Sequence, residues 1–295
     1  MKGCARSCLL QLLGWAIASA AYFFYFQSLG EHAAVWWASI GAGLCTVAAI
    51  GYAWAIKGLV GERSMLLDAA RGTQPEDGQW IAVSGRIHTM HSLRGPLSGE
   101  DVVAYQYRVH RTEGSGKNSS DVTHYEGKAI VPSTIATRTG SIRLLSVPTF
   151  DVPPAPLGRY AETVERVRAY VDATPFQTSA TPKAERIGME QESTDDDGNF
   201  RLDKCSSSDE ADLNGMQFEE KHIKQDETVC AFGLYSQSRG GIIPHPNWAK
   251  QTRVMRGDAN DVARQIRTRI IKYGIGIVCF SGAAYAIVRI YAASV

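Results

Sequence analysis

The sequence predicts an α+β protein in which a β-rich domain with a few amphipathic helices is attached to three transmembrane α-helices. Three long apolar segments without formal charge predict the membrane-spanning helices. About 210 polar residues separate the second segment from the third, which is enough for a domain with its own core. Within them, most apolar residues alternate with the period of a strand, and a few segments repeat with the period of a helix.

The apolar segments set the predicted domain boundaries. Leu9–Leu29 and Ala33–Ile56 lie close together near the N-terminus, and Tyr273–Val288 lies near the C-terminus. A helix needs roughly 20 apolar residues to cross a bilayer core, so the third span relies on Lys272 and Arg289 reaching the headgroups. We expect a transmembrane hairpin over 1–57 with spans at about 9–29 and 33–56, a soluble domain over 58–271, and a third span within 272–295.

A cleaved signal peptide is the alternative for the first span. Lys2 and Arg6 give it a basic start, and Ala18–Ala20 offers small residues for cleavage. However, its apolar length exceeds the roughly 7–15 residues of a signal core, and the second apolar segment follows after only three residues. A helical hairpin is therefore the favoured interpretation.

Basic residues predict the orientation. They precede the first span and flank the domain sides of the other two, whereas the hairpin loop has none. For a bacterial-type inner membrane, this places the large domain in the cytoplasm and the C-terminus outside. The residues expected at anionic lipid headgroups are Arg264, Arg267, Arg269 and Lys272. A plain solvated helix is the alternative for that segment.

Alternating residues predict that most of the domain is built from strands. The clearest strand is Asp101–Arg111, with Tyr105 and Tyr107 on its apolar face and Arg108 on the other. A half-buried strand is expected over Gln79–Met90. Further strands are expected at Thr123–Val131, Ser141–Val147, Phe200–Leu202, Met216–Ile223 and Thr228–Tyr235.

Three segments of the domain have the helical period. Arg159–Ala173 carries an apolar stripe and is expected to lie on the sheet. Gly58–Gly72 should continue the second span, and Asp258–Ile271 should run into the third. Asp258 is the expected N-cap of that last helix, with Asp261 in its first turn.

No metal, cofactor or catalytic motif is recognised, and no cofactor is expected. His88 and His91 point to opposite faces of a strand and so do not share an ion. The acidic turn at Asp195 and Asp197 resembles a calcium loop, but Lys204 stands where the bidentate glutamate belongs. No phosphate-binding loop or nucleophile elbow occurs, and a net charge of +1 gives no general attraction to nucleic acid.

The spans predict anchoring and not transport, because none of them carries a charged residue near the bilayer centre. Ser39 and Gly43 have the small-xxx-small spacing that lets helices approach closely. A homo-oligomer formed through the spans is therefore an open alternative.

One part of the domain resembles a known family. The residues are Gly85-Arg86-Ile87, the turn Gly95–Gly99, the strand Val103–Val109, and the later pieces Phe218–Glu220 and Asp226–Gly233. They resemble the GIDE-type family, the "beside a membrane" (BAM) domain of mitochondrial membrane-anchored E3 ubiquitin ligases and their prokaryotic relatives, over roughly Gly58 to Ile271. Those ligases carry a C-terminal RING finger with eight Cys and His ligands, and no such cluster follows Val288. The resemblance thus implies the substrate- or partner-binding domain without the RING.

The leading hypothesis is a membrane-anchored, non-catalytic interaction module whose partners are membrane lipids and an unidentified protein. The candidate partner-binding residues are Pro96, Leu97, Ser98, Tyr105 and Tyr107. For the two tyrosines, a place in the core is the favoured alternative. Rival hypotheses are an enzyme with a dispersed site that uses His88, His110 and Arg108, or an oligomeric protein that organises the membrane.

Overall fold

The computed structural model describes residues 2–29, 35–114, 119–178, 199–205, 213–246 and 251–294, which form four helices and fourteen strands. The helices are α1 (Lys2–Leu29), α2 (Val35–Arg71), α3 (Tyr160–Ala173) and α4 (Ala259–Ser294). The strands are β1 (Trp80–Thr89), β2 (Leu93–Arg94), β3 (Asp101–Val102), β4 (Ala104–Glu113), β5 (Ser120–Ile130), β6 (Ser133–Ala136), β7 (Ser141–Leu144), β8 (Thr149–Asp151), β9 (Gln177–Thr178), β10 (Phe200–Cys205), β11 (Gln217–Ile223), β12 (Thr228–Ser236), β13 (Gly241–Ile243) and β14 (Arg253–Arg256). The acidic turn at Asp195 and Asp197 lies outside the described residues.

The chain divides into a helical unit, residues 1–64 with 263–295, and a β-rich unit, residues 65–262. The α+β class with a β-rich body is therefore confirmed. The predicted continuation of the second and third apolar segments into a domain helix is also confirmed, because α2 and α4 are single helices. Asp258 caps α4 as expected, since its Oδ1 accepts the backbone N–H of Asp261 at 2.8 Å.

Five strands of the β-rich unit close into a barrel. Their order is β1-β6-β7-β13-β12, and β12 pairs back with β1. β7 and β13 run parallel, whereas the other neighbours in the barrel are antiparallel. This is the strand arrangement of OB-fold domains, which are five-stranded Greek-key barrels. Buried aliphatic side chains fill its core, among them Val83, Ile87, Ile135, Val229 and Ile242.

Gly85 allows β1 to pair with two neighbouring strands of the barrel, β12 and β6. Residues 80–86 pair with β12, and residues 86–89 pair with β6. A Cβ on Gly85 would overlap the carbonyl oxygen of Ala136 on β6. The strand exchanges partners at Arg86, and the residue before it is glycine, the residue type that tolerates so close a backbone.

A second sheet has the order β11-β4-β5-β10-β9, and α3 packs on one of its faces. The alternating residues Tyr105, Tyr107 and Val109 of β4 share a buried cluster with Val164 and Val167 of α3. The predicted packing of this helix on a sheet is confirmed, because its apolar stripe and the strand's apolar face meet.

In the helical unit, α1, α2 and α4 contact one another pairwise. A Cβ on Gly43 of α2 would lie 2.9 Å from the backbone nitrogen of Ser19 in α1. The small-residue spacing at Ser39 and Gly43 thus lets α2 approach α1 of the same chain, while a homo-oligomer stays a prediction. The contacts with α4 are aromatic, Phe26 with Tyr291 and Tyr52 with Phe280.

Two helices, α2 and α4, are long and apolar enough to cross a membrane, judged by length and composition. Only 17% of the apolar window of α2 and 11% of that of α4 are buried, unlike the core helices of a water-soluble protein. Two of the three expected spans therefore correspond to helices that could cross a membrane, and membrane insertion of all three segments stays a prediction.

Candidate functional site

A buried carboxylate holds the turn between β2 and β3. Glu220 of β11 is fully buried, and it accepts the backbone N–H of Leu97 at 2.7 Å and that of Ser98 at 3.0 Å. The Ser98 hydroxyl donates to the same carboxylate at 2.5 Å. Three donors from one turn therefore converge on one anion and fix the shape of that turn.

Glycines at both ends of the turn allow this close approach. A Cβ on Gly95 would lie 2.5 Å from Ser98 Oγ and 2.6 Å from Glu220 Oε1. Gly99 has φ +72°, in the left-handed region that favours glycine. The segment Gly95–Gly99, on which the resemblance to the GIDE-type family partly rests, thus binds the Glu220 carboxylate of the same chain.

His222 extends the cluster to a second carboxylate. It is 3% exposed, with Nδ1 2.8 Å from Glu220 Oε1 and Nε2 3.1 Å from Glu100 Oε2. Each ring nitrogen of His222 therefore faces an oxygen of a different carboxylate. Lys224 Nζ lies 2.8 Å from Glu100 Oε2 and extends the cluster toward the surface.

Hydrogen bonding keeps Glu220 ionised. Burial favours its neutral form, but the bonds from His222, Ser98 and Leu97 outweigh burial and hold the pKa of Glu220 below its ordinary value. The Ser98 hydroxyl donates to Glu220 and not to His222, which is not the arrangement of a serine nucleophile and its base. The chemistry that this arrangement supports is anchoring of the turn.

The sequence-predicted partner-binding residues lie mainly inside the fold. Pro96 and Leu97 are buried, and Ser98 is half-buried against Glu220. Tyr105 and Tyr107 are each 2% exposed, so the alternative that they belong to the core is confirmed. Contact with a partner through any of the five stays a prediction.

The two tyrosines belong to a second polar cluster beneath α3. Tyr107 and Tyr170 both donate their hydroxyls to Asp203 Oδ1 at 2.8 Å, and Arg201 Nε donates to Asp203 Oδ2 at 2.8 Å. Tyr105 and Tyr170 share a hydrogen bond of 3.1 Å. Burial first, and then the nearby Asp203 charge, raise the pKa of Tyr107, so the phenol stays protonated as a donor.

A cleft of about 550 Å³ lies where β1 ends beside β6 and β7. Its lining combines apolar, hydroxyl and cationic side chains, namely His88, Thr89, Met90, Pro132, Ser133, Thr134, Arg143, Leu144 and Leu145. Met90 is 94% exposed, and Arg143 is exposed on β7. Ser133 is 5% exposed, and within the described ranges its Oγ has no hydrogen-bond partner. The cleft thus offers apolar, hydroxyl and cationic groups to whatever binds there.

The residues of the rival enzyme hypothesis are not gathered in one cleft. His88 lines the cleft beside Met90 and lies 2.5 Å from Asp226, whereas Arg108 lines a different cleft and donates to Thr123. His110 is 8% exposed on β4 of the second sheet. Among the described residues, no group of three or more His, Cys, Asp or Glu side chains is placed to hold a metal ion.

The basic residues predicted to lie at the membrane surface are all exposed on α4, at Arg264, Arg267, Arg269 and Lys272. Exposed cations near an apolar helix segment are compatible with headgroup contact, which stays a prediction.

Sequence reasoning missed the anchoring pair Glu220 and His222. The sequence did contain a signal. Glu220 and His222 share the side of β11 that carries Phe218, so two polar residues occupy positions where the alternating pattern predicts apolar ones. A polar residue at a buried position predicts a hydrogen-bonding partner. Here the partner is a turn more than a hundred residues earlier in the chain, which the local pattern does not identify.

No family model, curated protein or solved structure that was compared with this chain matches it.

Proposed function

We propose that this chain is a membrane-anchored interaction module, with three helices in the bilayer and a cytoplasmic β-rich domain that binds a protein partner. The observation that carries the proposal is the distribution of exposed apolar side chains. Among the described residues, every large hydrophobic side chain that is exposed lies on α1, α2 or α4, except Met90 and Tyr160. A helix that points such residues outward needs an apolar solvent, and a bilayer provides it.

The spacing of aromatic residues supports a bilayer of ordinary thickness. Trp36 and Trp54 are exposed on α2, 18 residues apart, which is about 27 Å along a helix. Aromatic rings favour the two membrane interfaces, and about 27 Å agrees with a hydrocarbon core of roughly 30 Å.

The proposal of a third span rests on the packing of α1. This helix contacts α2 through Ser19 and Gly43 and contacts α4 through Phe26 and Tyr291. On its outer side it exposes Leu13, Ile17 and Phe24. A helix packed against two apolar helices and apolar on its remaining surface belongs in the same solvent as they do.

The protein partner is proposed for the cleft beside Met90. The Met90 side chain is 94% exposed and offers a flexible apolar contact. Arg143 and the Ser133 hydroxyl, which has no partner in the described part of the chain, add polar contacts around it. The resemblance to the GIDE-type domain of membrane-anchored ligases supports a partner-binding role of this kind. No catalytic role is proposed for the two polar clusters, because each is occupied in holding the fold.

Site-specific photo-crosslinking in native membranes tests the proposed surface. A photoreactive residue at position 90 of the full chain is expected to give a discrete protein adduct. The same residue at position 165, an exposed site on α3, is expected to give none. Substitution R143E with the crosslinker at position 90 should weaken the adduct, while equal adducts from 90 and 165, or none, would refute the proposal.

Alkaline carbonate extraction tests the anchor separately. The full chain is expected to stay in the membrane pellet, because its three helices are embedded. Release into the supernatant would contradict the anchor while leaving the crosslinking result meaningful.

A further inference from the structure

Three neighbouring strands of the barrel place a row of polar side chains along the cleft beside Met90. The register sets His88 of β1 opposite Thr134 of β6, and Thr134 opposite Arg143 of β7. Each of the three is next in sequence to an isoleucine of the barrel core, so their side chains point outward together. All three line the cleft, and because adjacent strands are about 4.8 Å apart, the row is about 10 Å long.

The two ends of this row differ in charge. His88 lies at one end, and its Nδ1 is paired with the carboxylate of Asp226. Arg143 lies at the other end, exposed on β7, and among the described residues no anionic group is within ion-pair distance of it. The Thr134 hydroxyl is its neighbour on the next strand, with Cβ atoms about 5 Å apart. An arginine beside a hydroxyl suits a single carboxylate, which accepts charge-assisted hydrogen bonds from both.

Met90 offers an apolar contact in the same cleft from a position that the fold holds. The preceding Thr89 Oγ1 lies 2.8 Å from the carbonyl oxygen of Pro132, which ties the end of β1 to the start of β6. The other large apolar side chains of the lining, Leu144 and Leu145, are buried. The apolar surface open to a ligand is therefore mainly the Met90 side chain, which suits one amino-acid side chain and not the acyl chain of a lipid.

Ser133 adds a polar group whose hydrogen bonding is incomplete. It lines the cleft and is 5% exposed, and its Oγ has no hydrogen-bond partner in the described part of the chain. Buried hydroxyls are normally bonded to protein, water or a ligand. A backbone N–H or C=O of a bound peptide would supply that partner.

We infer that the cleft beside Met90 binds a short peptide segment in which an aspartate or glutamate lies close to a large apolar residue. The carboxylate of the segment accepts hydrogen bonds from Arg143 and Thr134, and the apolar side chain packs on Met90. The cleft of about 550 Å³ is in the range that encloses a ligand of drug size, so a few residues fill it. This inference rests on the proposed protein partner and adds the chemistry by which that partner is recognised.

Selection from a random peptide display library tests this chemistry without the natural partner. The full chain is held in nanodiscs of phosphatidylcholine, and empty discs remove the peptides that bind lipid. Peptides enriched by the unmodified chain are expected to carry Asp or Glu close to a large apolar residue. The Arg143→Glu chain should instead enrich Lys or Arg at the acidic position, because the charge at that end of the cleft is reversed.

The affinity of one selected peptide, measured by fluorescence anisotropy, locates the contact. Arg143→Glu should weaken binding at least about tenfold, because it replaces a charge-assisted bond by repulsion. Met90→Ala should weaken it by about threefold or more, because the apolar contact is lost. Arg86→Glu is the matched control, since Arg86 is exposed on β1 outside the cleft, and it should change the affinity by less than about threefold. Circular dichroism of each variant establishes that it is folded.

Three results would overturn the inference. One is the absence of any peptide enriched over empty discs. Another is a set of enriched peptides without an acidic preference, or with the same preference for the Arg143→Glu chain. The third is equal weakening by Arg143→Glu and Arg86→Glu, which would mean that net charge and not the cleft governs binding.

The crosslinking experiment separates this inference from the proposed function. A protein adduct from position 90 in native membranes, together with selected peptides that are not acidic, would keep the partner and remove its proposed chemistry. Acidic selected peptides without a protein adduct would keep the chemistry of the cleft and contradict the natural partner. An adduct from position 90 to lipid and not to protein would assign the cleft to a lipid headgroup and would count against both.

Discussion

The Glu220 carboxylate accepts the backbone N–H of Leu97 at 2.7 Å, although 123 residues separate the two along the chain. This bond joins the edge strand β11 to the turn between β2 and β3, and it does so with a charge that is fully buried. A buried charge is stabilising only when its hydrogen bonds are complete, and here the turn provides them.

Glu220→Gln is expected to destabilise the domain by about 3 kcal/mol, because the amide presents N–H donors to a site built from donors. The measurement is urea unfolding of the detergent-solubilised full chain, followed by the circular dichroism of the sheets. Glu219→Gln is the control, since Glu219 is half-exposed and, among the described residues, its side chain forms a single ion pair, of 3.5 Å with Lys221. That control should change the free energy of unfolding by less than about 0.5 kcal/mol. Equal effects of the two substitutions would contradict the anchoring role.

Acid is expected to remove the contribution of Glu220. Its pKa is lower in the folded domain than in the unfolded chain, so its stabilisation is complete above the ordinary glutamate pKa of about 4.3. That stabilisation is lost as the pH falls through the folded pKa. The difference in unfolding free energy between the unmodified chain and Glu220→Gln should therefore shrink between about pH 7 and about pH 3. A difference that stays constant over this range would rule out the charge as its cause.

Tyr107→Phe is expected to cost about 1–2 kcal/mol of unfolding free energy, because it removes one of the donors to Asp203 and leaves the ring in place. Tyr125→Phe is the matched control, since Tyr125 is 6% exposed in the same buried cluster and no hydrogen bond of its hydroxyl is found within the described ranges. Thermal denaturation of both variants provides the comparison. A larger loss in Tyr125→Phe than in Tyr107→Phe would show that ring packing, and not the bond to Asp203, dominates.

Gly85→Ala is expected to destabilise the barrel by more than about 2 kcal/mol, because the new methyl group overlaps the carbonyl oxygen of Ala136 and forces β1 and β6 apart. Gly58→Ala is the control. Gly58 lies in α2 with open space around its Cα, and alanine there should be neutral or stabilising by up to about 1 kcal/mol. Amide hydrogen exchange in β6 reports the effect directly, and unchanged protection of Ile135 in Gly85→Ala would contradict it.

The longer strands and the helices were predictable because each carries enough residues to display its period. β1, β4, β11 and β12 have 7 to 10 residues and were expected nearly at their observed bounds. β6, β13 and β14 were not expected, since they have 4, 3 and 4 residues and show too little alternation. All three are nevertheless needed for the barrel and its extension, because their pairing is determined by strands distant in sequence.

The candidate site was also predictable only where its features are local in the sequence. The turn Gly95–Gly99 was singled out from its residues, but its function was expected on the surface, whereas its donors point inward to Glu220. Burial of a polar group depends on what packs over it, and a local pattern does not contain that information.

By itself the sequence determined the apolar helices, the β-rich character of the domain between them, and the face that each long strand and α3 buries. These follow from composition and period, which act over neighbouring residues. Only the tertiary structure decided that the strands close into a barrel, that Gly43 meets Ser19 within one chain, and that the buried Glu220 carboxylate binds the turn Gly95–Gly99. Those outcomes depend on contacts between segments far apart in the chain, and the three-dimensional packing of the segments determines which residues meet.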